Sequence, residues 1–290
     1  MRRRENRLSG PGGRTLALTV AGGQIRAYKC RRRVDHGGLA LANGKGQLED
    51  KPPWQEKRTD EFLEKFLVWE FFDFATDNYF VEIGAFHSQE LSQTWMLEKL
   101  GWSGLLVEPI PENAEELRHN RPRSVIHQVA LTAPEKAGTL TLHVAGAAGS
   151  QSGLVRNQQD PVRTYQKEIT VCATTFNSIL EADPPDRLDF VSIDTEGNEL
   201  DVLRGFDFSR YRPRLILIEY VVLDLQLHRF LMSQGYRLFR RTQWNNWYVP
   251  HDCSRWPTIA ERLKLFRKMY IGTPLRAWRH ERKRRSVASS

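Results

Sequence analysis

Residues 79–109 read YFVEIGAFHSQELSQTWMLEKLGWSGLLVEP and contain the pattern that decides the fold. The first five residues are apolar and β-rich, as in a buried parallel strand, and Gly84 follows them in a tight turn. A helical pattern comes next, and its apolar face is formed by Leu91, Trp95, Met96 and Leu100. A second apolar run then ends on an acid, Glu108. A strand, a glycine turn, a helix and an acid-terminated strand predict half of a nucleotide-binding α/β sheet.

The turn and the end of the second strand predict a nucleoside site. Gly84 would let a ligand lie against the backbone, and Glu108 is placed to accept hydrogen bonds from both ribose hydroxyls. The usual dinucleotide turn is G-x-G-x-x-G, whereas a single glycine is present here. Glu82 is expected to face the same crevice, where it would repel a pyrophosphate and attract an ammonium group. A nucleoside with a cationic centre suits this site, and S-adenosylmethionine (SAM) is such a ligand.

Several residues of the stretch are predicted to contact SAM: Glu82, Gly84, Ala85, Ser88, Glu108 and Pro109. Two of them have a structural alternative. Glu108 could be a surface acid at a strand end, and Ser88 could be the N-cap of the helix. His87 fills a turn position without a defined partner, so it is not assigned a role.

Four segments resemble the FkbM-type, SAM-dependent methyltransferase family: VEIGAFHS (81–88), SQTWMLEKLGWSGLLVEP (92–109), VSIDTEGNELDVLRGF (191–206) and IEYVV (218–222). The resemblance covers about residues 79–250, and its most specific part is the block SIDTEGNELDVLRG. It implies a class I, Rossmann-like α/β fold: a doubly wound, mostly parallel sheet of seven strands, with helices on both faces and a closing antiparallel hairpin. It also implies SAM as the cofactor.

The rest of the chain alternates strands and helices, which independently predicts a mostly parallel sheet with helices on both faces. The predicted methyltransferase domain spans residues 56–256, and an aromatic-rich helix over 60–77 covers its start. Residues 145–167 are polar and Gly-rich, interrupt the alternation, and are a candidate lid over the acceptor. The resemblance supports this interpretation, because the family carries variable sequence around a short Ser-Gly-Leu piece here.

Two acids are the predicted catalytic residues. Asp194 follows a central strand and Glu196 lies in the same turn, which Gly197 permits. Transfer of a methyl group to a hydroxyl needs a base or a strong hydrogen-bond acceptor, and we assign that role to Asp194, with Glu196 in support. The structural alternative is that Asp194 holds the turn through backbone N–H groups and Glu196 caps the next helix.

The net charge of +8 lies in the tails. Residues 1–55 hold 12 Lys/Arg against 4 Asp/Glu, and residues 275–290 hold 6 against 1, so the residues between carry a net −5. A nucleic-acid groove in the domain is therefore not expected. The arm 1–55 is predicted to be mostly disordered, although short strands are possible at 15–20 and 24–28. The segment 257–290 predicts a basic amphipathic helix and a disordered tail; packing on the domain is favoured over contact with an anionic membrane.

No apolar run is long enough to span a membrane, and the basic start lacks the apolar core of a secretory signal. Three distant cysteines are expected to be unpaired thiols, so a cytoplasmic protein is predicted. No metal is expected, since His251 and Cys253 have no second ligand pair. The residues do not identify the acceptor, but the resemblance to the FkbM family implies a hydroxyl of a small molecule, a secondary metabolite or a saccharide. The alternatives are a nicotinamide-dependent oxidoreductase and a non-catalytic module that binds nucleic acid or membrane through its basic tails.

Overall fold

The computed structural model describes residues 6–9, 15–21, 24–29, 60–89, 91–145, 152–154, 165–219, 225–242, 245–272 and 278. They fall in two compact units, residues 1–53 and 54–290. In the first unit three strands, β1 (Asn6–Ser9), β2 (Thr15–Ala21) and β3 (Gln24–Lys29), form an antiparallel sheet. Strands β2 and β3 therefore lie where the sequence indicates possible strands, at residues 15–20 and 24–28. The rest of this arm and the tail after residue 278 lie outside the described residues.

The second unit is built on a seven-stranded sheet. Its strands are β4 (Tyr79–Ile83), β5 (Ser103–Val107), β6 (Ser124–His127), β10 (Phe190–Ile193), β11 (Leu215–Glu219), β12 (Tyr236–Arg241) and β13 (Asn245–Pro250). They lie in the order β12-β13-β11-β10-β4-β5-β6. The five strands from β11 to β6 are parallel, and β13 pairs antiparallel with both β11 and β12. The doubly wound sheet with a closing hairpin is therefore confirmed, and its strand order reverses between β4 and β10.

Helices cover both faces of this sheet. They are α1 (Asp60–Phe71), α2 (Trp95–Lys99), α3 (Pro111–Asn120), α4 (Phe176–Ala182), α5 (Glu199–Arg204) and α6 (Leu225–Ser233). A further helix, α7 (Ile259–Phe266), has no buried residue. One core cluster joins α4, α5 and α6 to Val81 and Ile83 of β4, and another joins α1, α2 and α3 to Phe80 of the same strand. The two faces are buried at once because successive strand residues point to opposite sides.

The helix after the glycine turn is shorter than the sequence predicts. Only Trp95–Lys99 is helical, and Thr94 is its N-cap. Leu91, expected on the apolar helix face, has a φ of +63° and is exposed. A left-handed backbone conformation at a leucine cannot continue a helix, so residues 84–94 form a loop over the end of β4.

A second, smaller sheet follows β6. It contains β7 (Ala130–Leu131), β8 (Gly138–Ala145) and β9 (Tyr165–Thr174) in the order β7-β9-β8, with a 3₁₀ turn at Pro134–Lys136. Residues 152–154 lie beside β8, where His143 and Gly153 exchange two backbone hydrogen bonds of 3.0 and 3.1 Å. The predicted lid thus begins on this sheet; its residues 146–151 and 155–164 lie outside the described residues.

The C-terminal helix α7 begins with a capping box, in which Thr258 and Glu261 exchange side-chain and backbone hydrogen bonds. A π-helical turn, Arg267–Gly272, continues it. The apolar face of α7, which the sequence favoured as a packing surface, is exposed instead. None of the helices that the structure describes has the length and apolar character needed to cross a membrane. Cys172 and Cys253 are free thiols, as predicted, and Cys30 lies outside the described residues.

Candidate active site

A cavity opens at the carboxyl ends of β4, β5 and β10, where the strand order reverses. It is lined by the turn after β4, the end of β5, the turn after β10, apolar residues of the smaller sheet, and residues 152–154. Most of the predicted site residues line it together: Gly84, Ala85, Glu108, Pro109, Asp194 and Glu196. Glu82 and Ser88 do not. This position is where ligands bind in open α/β sheets.

Backbone crowding explains the glycine after β4. Gly84 has a φ of +78°, and its N–H and that of Ala85 both donate to the carbonyl oxygen of Val107, at 3.0 and 3.1 Å. A Cβ at position 84 would lie 1.8 Å from the carbonyl oxygen of Asp194. The sequence suggested that this glycine makes room for a ligand. The structure shows that a protein atom of the neighbouring turn fills that space.

Glu108 is buried at the end of β5, with only 3% of its surface exposed. Its carboxylate accepts hydrogen bonds from the backbone N–H groups of Phe86 and Ile110, both at 2.9 Å, and from Asn113 Nδ2 at 3.5 Å. Burial nevertheless outweighs these bonds and raises the pKa of Glu108 to about 7. Glu108 is therefore not the surface acid of the alternative interpretation.

Glu82 points away from the cavity, which corrects the orientation expected from sequence. Its side chain accepts hydrogen bonds from Ser92 Oγ at 2.9 Å, from the N–H of Gln93 at 2.6 Å and from Thr94 Oγ1. Val81 and Ile83 face one side of the sheet, so Glu82 between them faces the other, toward α2. This carboxylate shapes the loop before α2.

An unpredicted buried arginine completes that polar cluster. Arg121, at the C-terminal end of α3, places its Nε 2.7 Å from Glu98 Oε2 and its Nη1 3.9 Å from Glu82 Oε2. It is 1% exposed. The only signal in the sequence is an arginine directly after an amphipathic helix, which is also common at helix ends on the surface. Two carboxylates and one guanidinium thus fix the loop that follows the glycine turn.

Ser88 is a second predicted contact that lies elsewhere. Its hydroxyl donates to Glu116 Oε1 at 2.7 Å, and its N–H approaches the same oxygen at 3.4 Å. Since α2 begins at Trp95, Ser88 is not a helix N-cap either. The bond to Glu116 ties the loop to α3.

The turn after β10 holds the predicted catalytic acids. Here Glu199 accepts hydrogen bonds at Oε1 from Thr195 N–H, Thr195 Oγ1 and Gly197 N–H, at 3.0–3.1 Å. Glu199 therefore stabilises the turn, a role that the alternative interpretation of the sequence gave to Asp194. The backbone of Glu196 is in the left-handed region, with a φ of +57°. Strained backbone of this kind is common at functional sites.

Asp194 is the most distinctive group of the site. Its side chain is open to the cavity, and within the described ranges no hydrogen bond to its carboxylate is found. Oxygen atoms of Asp194, Glu199 and Glu219 lie within 4.8 Å of one another. Asp194 is exposed on the side of the cavity, while the protein packed behind it and, after that, the neighbouring carboxylates raise its pKa above the ordinary value.

The same three carboxylates are the kind of cluster that could hold a cation. One oxygen of Glu199 is already engaged with three donors of the turn. Acidic clusters without an ion are common, so the absence of a metal stays a prediction.

Comparison with known proteins adds the family. A family model described as "Methyltransferase FkbM domain" matches residues 82–238, more than half of the chain. No curated protein matches the sequence.

Solved structures show only distant likeness. The METTL16 MTase domain is 14% identical, with 63% of this chain and 64% of that domain covered and a TM-score of 0.38. The N-terminal domain of human METTL16 in complex with SAH is 13% identical, with 69% and 73% covered and a TM-score of 0.38. A precorrin-6y C5,15-methyltransferase from Geobacter metallireducens GS-15 is 12% identical, with 64% and 84% covered and a TM-score of 0.35. The chain thus spans just under two thirds of the first of these domains, and at these scores the likeness supports no inference about acceptor.

Proposed function

Because the chain belongs to the FkbM methyltransferase family, we propose that it methylates a hydroxyl oxygen of a small molecule, a secondary metabolite or a saccharide. The cofactor SAM would supply a methyl group that is bound to a cationic sulfur. The acceptor oxygen would attack the methyl carbon in line with the C–S bond, and the sulfur would leave. The new C–O bond forms as the C–S bond breaks, and the hydroxyl proton must be accepted by the protein or by water.

The residues of the cavity fit this cofactor. A carboxylate offers about four acceptor positions, and Glu108 uses two for backbone N–H groups and one for a long contact to Asn113. One acceptor position remains for a ribose hydroxyl, the type of ligand group predicted from sequence. Ala85 and Pro109 line the cavity beside Glu108. The surrounding negative charge suits a ligand with a sulfonium and an ammonium group.

One observation carries the choice of a hydroxyl acceptor: the accessible carboxylate of Asp194. A hydroxyl is a poor nucleophile until a base accepts its proton, and a base is most effective when its pKa lies near the working pH. The protein raises the pKa of Asp194 in this direction and leaves the carboxylate open to the cavity. Asp194 would accept the hydroxyl proton, and Glu199 would hold the turn that positions it.

The charge of the site also bears on the acceptor. Asp194 and Glu196 line the cavity, and Glu219 lies beside Asp194. An acceptor with a phosphate or carboxylate near its hydroxyl would be repelled by these groups. We therefore expect a neutral polyol or a cationic acceptor.

Labelled SAM incubated with fractionated small molecules and saccharides tests the proposal, with tandem mass spectrometry to locate the added methyl group. We expect the label on oxygen, transfer at least about 100-fold slower in Asp194→Asn, and SAM affinity unchanged in that variant. Asp186→Asn, at an exposed aspartate, is the control. Methyl groups found on nitrogen or carbon, or wild-type turnover in Asp194→Asn, would refute the assignment.

Family membership also bears on the two alternatives from sequence. It favours methyl transfer over hydride transfer from a nicotinamide cofactor and over a module without catalysis. A fluorescence titration with NAD(H) gives a direct check, and saturable binding at the cavity would revive the oxidoreductase.

A further inference from the structure

The C-terminal segment exposes an unusual amount of apolar surface. Five of the ten large apolar side chains that are exposed in the described part of the chain lie between residues 259 and 271. They are Ile259 (76% exposed), Leu263 (66%), Phe266 (57%), Tyr270 (49%) and Ile271 (49%), which we call the apolar stripe. The first four recur at intervals of three and four residues and so share one side of the helix.

Polar contacts hold the helix in this orientation. Its N-terminus has the capping box, and near its C-terminus the Tyr270 hydroxyl lies 3.1 Å from Nε2 of His228 on α6. The guanidinium of Arg262 lies over the ring of Trp256, at 5.1 Å. Leu265, which lies on a different side of the helix from Ile259, Leu263 and Phe266, is partly buried. The domain therefore contacts the helix on the side of Leu265 and, through the Tyr270 hydroxyl, near its C-terminal end, while the side chains of Ile259, Leu263 and Phe266 face water.

Positive charge accompanies the stripe. Residues 259–272 contain four basic side chains, Arg262, Lys264, Arg267 and Lys268, and one acid, Glu261. The next residues in the sequence, 275–290, add 6 Lys/Arg against 1 acid. A partner for this surface must therefore offer both an apolar interior and negative charge.

We propose that this helix binds the surface of an anionic lipid bilayer, with the apolar stripe below the headgroups and the basic side chains among them. A helix with an apolar face and a basic polar face lies in the plane of such an interface, and anionic lipids attract each basic residue near the surface. The 14 residues from Ile259 to Gly272 reach only about 20 Å at 1.5 Å per residue, too short to span a hydrocarbon core of about 30 Å. Nucleic acid would account for the charge but not for exposed isoleucine and leucine.

Flotation of the full chain with phosphatidylcholine vesicles, with and without phosphatidylserine, tests the proposal. The wild type should float with the anionic vesicles, and salt should weaken the binding. Leu263→Ser/Phe266→Ser should weaken it about tenfold or more, because two apolar anchors are lost. Lys264→Gln/Arg267→Gln should weaken binding to the anionic vesicles about fivefold or more. Met232→Ser, at an exposed apolar residue on α6, is the matched control and should bind like the wild type.

Thermal melting shows whether Leu263→Ser/Phe266→Ser, which we call the stripe variant, still folds. An unchanged melting temperature is expected, because the side chains of Leu263 and Phe266 are both exposed. Three results would overturn the proposal. The first is no binding to anionic vesicles. The second is wild-type binding by the stripe variant, which would assign the binding to basic segments alone. The third is a dimer of the wild type, seen by light scattering without lipid, that the stripe variant loses, which would make the stripe an interface between copies of the chain.

Discussion

Replacing Glu108 by glutamine removes a group whose ionisation opposes folding. The protein raises its pKa to about 7 from an ordinary value of 4.5. Between these two pH values the folded protein keeps a proton that the unfolded chain releases, so rising pH favours unfolding of the wild type. At about 1.4 kcal/mol per pH unit, the difference amounts to roughly 3 kcal/mol. The free energy of unfolding of Glu108→Gln, relative to the wild type, should therefore rise by about this amount from pH 4.5 to 7 and stay level above.

The amide also has a cost that does not depend on pH. Glutamine has one acceptor oxygen, so the N–H groups of Phe86 and Ile110 cannot both keep their present partner, which costs about 1–3 kcal/mol. Only the slope with pH therefore tests the argument. Urea unfolding followed by circular dichroism, at intervals from about pH 5 to pH 8, measures that slope.

Glu135→Gln, at an exposed glutamate, is the control and should differ from the wild type equally at every pH. If the same flat difference is found for Glu108→Gln, Glu108 ionises normally in the folded protein and the reasoning from burial is wrong. In the same variant SAM should bind about tenfold or more weakly at pH 8, because an amide replaces a charged acceptor at the ribose.

Three further predictions follow from the same contacts. Gly84→Ala should destabilise the domain by about 3 kcal/mol or more, because a Cβ would meet the Asp194 carbonyl. The control Gly235→Ala has a similar φ but open space around the added Cβ, and it should cost about 1 kcal/mol in thermal or urea unfolding. Equal costs for the two variants would contradict the crowding argument. Arg121→Met should lower the free energy of unfolding by about 3–5 kcal/mol, because it leaves buried carboxylates without their positive partner. Arg118→Met, at an exposed arginine, should lower it by less than about 0.5 kcal/mol. A mild effect at Arg121 would mean that water reaches those carboxylates. The rate of methyl transfer should rise with pH through a midpoint above the ordinary aspartate range, since Asp194 accepts a proton only when ionised; a midpoint near pH 4 would contradict the raised pKa.

The sheet and the position of the cavity could be predicted from sequence because they depend on local patterns. Buried parallel strands are short apolar runs, and β4 coincides with the run that begins the decisive stretch. The carboxyl ends of parallel strands meet at one edge, so Glu108 and Asp194 had to lie near each other once both were placed after strands.

The predictions that were wrong concern features set by contacts between residues that are separated in the sequence. The position of Glu82 two residues before Gly84 predicts a side chain in the crevice, but the alternation of β4 turns it toward Ser92 and Thr94. Those contacts hold an irregular loop where the sequence alone predicted a longer helix. The exposed face of α7 likewise could not be foreseen, because an apolar stripe predicts burial without naming the surface that covers it.

The most direct test of the site is a crystal structure of the chain with S-adenosylhomocysteine, the product of methyl transfer. The account predicts that the ribose hydroxyls lie within hydrogen-bond distance of the Glu108 carboxylate and that the sulfur lies on the side of the cavity lined by Asp194. A nucleoside bound outside this cavity, or a ribose held by other residues, would contradict it.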